Sequence, residues 1–78
     1  MKNLDKYDQV FMDYLSIEKA ELSELSYQSK SSWDSVGHMA LISELEEVFE
    51  IMMDTDDIID FSSYEKGKEI LRKYDVRI

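Results

Sequence analysis

The chain has no cysteine, no proline and two glycines in 78 residues. Without thiols there is no disulfide, no thiolate nucleophile and no thiolate metal ligand. Without proline, and with little glycine, few positions interrupt a helix. No apolar run approaches the roughly 20 residues that a membrane-crossing helix needs. The start, Met1-Lys2-Asn3-Leu4-Asp5, lacks the apolar segment of a secretory signal. These absences lead us to expect a cytoplasmic, soluble chain. Its apolar content of 44% favours a folded core over disorder. The length predicts one domain over residues 1–78, with a modest core and a monomeric state.

Positive charge is also scarce. Nine basic residues face eighteen acidic ones, for a net charge of -9. Between Asp34 and Asp60 there is no lysine or arginine at all, whereas nine acids fall in that window. A surface of this sign excludes a nucleic-acid footprint and disfavours anionic membranes, so neither partner is expected. It suits basic partners. Such a run is either a solvated face or a docking surface.

What is present is helical periodicity. Leu4, Tyr7, Val10, Phe11, Tyr14 and Leu15 form one stripe, predicting a helix from Asn3 to Ser16 with Asn3 as its cap. A long connection follows, from Ile17 to Trp33, with a possible helical turn at Ala20 to Leu25. Leu22, Leu25, Tyr27 and Trp33 are its expected anchors. A second helix should begin at Ser35 with Asp34 as N-cap and run to about Glu50. At about 100° per residue, Leu41, Ile42, Leu45, Val48, Phe49 and Met52 converge on a core face. Val36, Met39, Ser43, Glu46, Glu47 and Glu50 take the opposite one. A short third helix is expected from Asp54 to Asp60, capped by Asp54. A fourth should run from Ser63 to about Tyr74, started by the capping-box spacing of Ser62 and Glu65. Gly67 would allow close helix contact. The fold class read from this is all-α: a four-helix bundle with three longer helices, one short third helix and a long first loop.

The order of these elements, with Asp34-Ser35-Val36 ahead of Leu41-Ile42-Ser43-Glu44-Leu45-Glu46-Glu47-Val48-Phe49, resembles the acyl carrier protein family over nearly the whole chain. Trp33-Asp34-Ser35 followed by Gly37-His38 looks more like stand-alone carriers of specialised pathways than the housekeeping fatty-acid carrier. The resemblance implies an acyl-carrier-type bundle and no enzymatic activity of its own. It implies that Ser35 receives 4'-phosphopantetheine from coenzyme A through a separate phosphopantetheinyl transferase using magnesium. It implies that acyl intermediates of fatty-acid, polyketide or related biosynthesis ride on that arm as thioesters. The matching docking residues are Glu46, Glu47, Asp56 and Asp57, with Val36 and Met39 as apolar contacts for loading and processing enzymes that carry basic patches. Leu45, Phe49, Met53 and Ile59 would line the interior that could shelter cargo, or simply form core. The family's glycine ahead of the Asp-Ser pair is replaced by Ser32-Trp33, and its early helix acids by Gly37, His38 and Ala40.

Other readings stay open. The cargo could be aminoacyl or peptidyl. The chain could instead be an unmodified acidic helical adaptor for a basic partner. A calcium loop through Asp54, Asp56 and Glu65 fails, because Ile58 and Ile59 stand where a ligand and a glycine are required. His38 has no second histidine or cysteine to share a metal with, and reads as a hydrogen-bonded structural residue. No metal site is expected.

Overall fold

Four α-helices and one 3₁₀ helix account for the regular structure in the computed structural model, which describes residues 2–78. They are α1 (Asn3–Leu15), a 3₁₀ helix (Lys19–Glu24), α2 (Ser35–Phe49), α3 (Thr55–Asp60) and α4 (Tyr64–Arg72). The fold is all-α. Among the described residues the nearest approach to a sheet is one isolated antiparallel bridge, Ser26 to Ser63. No described helix is long and apolar enough to cross a membrane.

α1 packs chiefly on α2, and both α1 and α4 rest on the 3₁₀ helix. The core is aromatic. Tyr7, Phe11, Trp33 and Phe61 are fully enclosed together with Leu15, Leu41, Ile42, Leu45 and Leu71. Phe11 meets the edge of Trp33 at 5.6 Å and the edge of Tyr64 at 5.5 Å between ring centres, a favourable aromatic arrangement. Tyr7 donates to the Tyr64 carbonyl at 2.7 Å, and the Tyr64 hydroxyl donates to the buried carboxylate of Asp8. This pair ties α1 to the start of α4. Gly67 faces them: a Cβ there would lie 2.2 Å from the Tyr7 hydroxyl and 2.3 Å from Phe61. The close approach expected at Gly67 is therefore present.

Several sequence expectations change at the element ends. Asn3 does not cap α1. Lys2 occupies the cap position, and the Asn3 amide instead donates to the Arg77 carbonyl at 3.1 Å. The Ser62–Glu65 capping box is replaced by a cap one residue on, where the Ser63 hydroxyl accepts from the Lys66 N–H at 2.9 Å. Ser62 is drawn away because its carbonyl accepts from Tyr27 N–H at 2.8 Å. Asp54 sits at the α3 cap position without a side-chain bond. Met52, assigned to the core face of the second helix, is 85% exposed. α2 ends at Phe49, and Glu50 turns into the left-handed region at φ 54°, so the helical register no longer carries to Met52. Ile59, offered as interior, is 71% exposed, and Leu4 and Tyr14 also lie at the surface.

Candidate functional site

Ser35 is the first residue of α2 and is exposed. Its position is set locally. The Asp34 carboxylate accepts from the Gly37 N–H at 2.8 Å, and the His38 N–H bonds to the Asp34 carbonyl at 2.7 Å. A cap of this kind contributes about 1 kcal/mol to a helix. The N–H groups of Ser35 and Val36 belong to the opening turn, where intrahelical acceptors do not exist. They are therefore available to an anion carried on Ser35.

The loop ahead of Ser35 is held firmly for its length. Leu22, Leu25 and Trp33 are buried as expected, whereas Tyr27 is at the surface. The Ser32 hydroxyl donates to the Leu15 carbonyl at 2.7 Å, and Gln28 N–H bonds to the Trp33 carbonyl at 3.0 Å. Tyr64 N–H bonds to the Leu25 carbonyl at 3.0 Å, stitching the loop to α4. Gly37 is needed here. A Cβ at that position would fall 2.1 Å from the Ser32 carbonyl oxygen, so only glycine lets the loop close over the first turn of α2.

Beside Ser35 lies a groove of about 360 Å³ between α2 and α3. Ser35, Met39 and Ile59 line it together with Tyr27, His38, Ile58, Phe61 and Ser62. Sequence reasoning singled out Ser35 and Met39 but missed Ile58, Phe61 and Ser62 as neighbours. They come from α3 and the turn after it, and nothing in local periodicity places them beside Ser35.

The His38 ring explains how that lining is fixed. Trp33 Nε1–H donates to His38 Nδ1 at 2.9 Å, and His38 Nε2 lies 2.8 Å from the Ile58 carbonyl. An indole nitrogen can only donate, so Nδ1 accepts and Nε2–H donates. The single histidine of the chain is thus engaged at both nitrogens, which matches its expected structural role. Asp34 is likewise committed to its cap.

The other sequence-derived site residues divide by exposure. Val36 is 78% exposed and Met39 51% exposed. Glu47 and Asp56 are exposed as well. Glu46 is half-buried, and its carboxylate accepts from the Met53 N–H at 2.9 Å, fastening the turn after α2. Asp57 is 6% exposed and already occupied, which removes it from the free acidic surface. Lys73 Nζ lies 2.6 Å from one of its oxygens and Tyr74 donates to the other at 2.5 Å. The Lys73 bond, then the Tyr74 bond, hold the Asp57 carboxyl below its ordinary value, and the same contact raises Lys73. The acidic pattern was legible in the sequence, but the partners from beyond α4 were not.

Comparison with protein-family models found no match, and comparison with curated proteins found none.

Proposed function

We propose that the chain is a carrier of the acyl-carrier type, its four helices forming that bundle and its Ser35 hydroxyl bearing 4'-phosphopantetheine. The observation that carries this reading is the setting of Ser35. It is exposed at the first position of a capped, fifteen-residue helix, next to an apolar groove and inside a stretch without basic residues.

The chain's own residues fit the group. Ser35 supplies the accepting oxygen. The Ser35 and Val36 N–H groups would be free to donate to a phosphodiester on Ser35, and the helix end favours its negative charge. The groove beside Ser35 can take the slender part of an arm. When bound, the group would supply a terminal thiol, which this cysteine-free chain otherwise lacks. A serine hydroxyl needs a base to become a nucleophile. His38 and Asp34 are both committed elsewhere, so the base belongs to the transferase. In the loading step the Ser35 oxygen would bond to the phosphorus that carries pantetheine as the pyrophosphate P–O bond of coenzyme A breaks; adenosine 3',5'-bisphosphate would leave, and the serine proton would pass to that base. The exposed Glu47 and Asp56 carboxylates offer basic partners a docking rim, with Val36 and Met39 as its apolar centre.

A second reading draws on the same exposed residues. Val36, Met39, Met52 and Ile59 among acids would equally serve an unmodified adaptor that binds a basic partner. The test is to incubate the chain with coenzyme A, magnesium and a broad-specificity phosphopantetheinyl transferase and to measure its intact mass. A carrier gains one phosphopantetheine, and Ser35→Ala gains none. An adaptor keeps its original mass.

A further inference from the structure

We infer that His38 is a specificity-determining latch that keeps the seam between α2 and α3 shut, so that cargo tethered at Ser35 lies in the surface groove and does not enter the bundle. The cargo part of this inference rests on the carrier reading; the latch itself does not.

A continuous chain of hydrogen bonds runs from the loop through α2 to α3, and its middle member, His38, lines the groove. Trp33, at 0% exposure, donates to His38, and His38 donates to the backbone of α3 at Ile58. The His38 and Trp33 rings lie side by side across that hydrogen bond, 20° from parallel with ring centres 6.2 Å apart. Tyr27 covers it edge-on at 5.5 Å, and Phe61 meets it edge-on at 6.2 Å. Two of these rings belong to the enclosed core: Trp33 and Phe61 are fully buried, as is Leu45 of α2.

A chain passing inward from Ser35 must displace His38. That movement leaves the buried Trp33 N–H without its acceptor, an unfavourable change for a donor of an enclosed residue, and frees the carbonyl of half-buried Ile58. It must also make room in a filled aromatic layer, which strains a close-packed core. The outer walls impose no such cost. Met39 and Ile59 are exposed and can fold over a ligand, methionine by virtue of its flexible side chain. The groove therefore favours apolar acyl groups that rest at the surface, where a partner enzyme reaches them directly.

The experiment has two arms. In the unmodified chain, nitrogen-resolved NMR should show His38 as the Nε2–H tautomer and the single Trp33 indole proton protected from exchange. An Nδ1–H tautomer, or a freely exchanging indole, overturns the latch whether or not Ser35 can be loaded. In the second arm, acetyl- and octanoyl-coenzyme A are transferred to the wild type, His38→Ala and His38→Gln, with intact mass recording each product. For the loaded wild type, replacing acetyl by octanoyl should shift the Met39 and Ile59 amides while leaving Leu45 and Met53 in place. The octanoyl thioester should hydrolyse as fast as free octanoyl-pantetheine. His38→Ala should shift Leu45 and Met53 and protect the thioester several-fold, and His38→Gln, which keeps an acceptor and a donor, should restore the wild-type pattern. Octanoyl-dependent shifts at Leu45 and Met53 in the wild type overturn the latch while leaving the carrier reading intact. Failure of Ser35 to gain mass overturns the carrier reading and the cargo rule with it.

Discussion

Removing the Tyr64 hydroxyl, as in Tyr64→Phe, leaves the buried Asp8 carboxylate without its donor. The loss should cost about 1–3 kcal/mol, the range for an unsatisfied buried polar group. Urea unfolding would register it as a lower midpoint at an unchanged slope. Burial first, and the Asp8 bond second, raise the Tyr64 phenol above its ordinary value. Its contribution is therefore complete below the unfolded phenol value of about 10 and is lost as pH rises through the higher folded value. Tyr64→Phe should lack that alkaline loss; an unchanged alkaline limb would contradict the assignment. The place of Tyr64 in the fourth helix was legible in the sequence. Its partner was not, because Asp8 lies 56 positions away and no local pattern pairs them. The same holds for His38, whose hydrogen-bonded role followed from its isolation but whose bond to Ile58 is a tertiary fact.

Among the elements, α3 depends most visibly on a few side chains. Lys73 and Tyr74 engage Asp57, and the Tyr74 oxygen also accepts from the Asp54 N–H at 2.9 Å. The Asp57 carboxyl is depressed, so its contribution is present above the unfolded carboxylate value of about 3.9 and fades as pH falls through the lower folded value. Amide exchange at Ile58 and Ile59 should therefore accelerate in acid before the core opens. Asp57→Asn should show the faster exchange already at neutral pH and a weaker acid dependence. Equal protection in both proteins would show that α3 is held by other means. The start of α2 was readable to the residue, because Asp34 supplies both a local cap and the helix-end charge preference. Its end was less so. The left-handed turn at Glu50 breaks the register, and that break is what exposes Met52. The α4 cap moved by one residue because two adjacent serines compete and the loop claims Ser62.

At the scale of the molecule, charge and exposure govern encounter with partners. Glu47 and Asp56 are both exposed, so reversing them to lysine should leave stability within about 0.5 kcal/mol. The same change should slow loading by the transferase, and added salt should slow the wild type more than the variant. Identical rates under all these conditions would remove the acidic surface from recognition. The all-α class and the acidic window were legible from composition and periodicity alone. The groove was not, since it is assembled from the loop, α2, α3 and the turn before α4. The most direct measurement is peptide-resolved mass spectrometry of the chain after exposure to transferase, magnesium and coenzyme A. The account predicts a phosphopantetheine on the Ser35 peptide and on no other serine. An unmodified chain, or a modification confined to Ser29, Ser31 or Ser32, would contradict it.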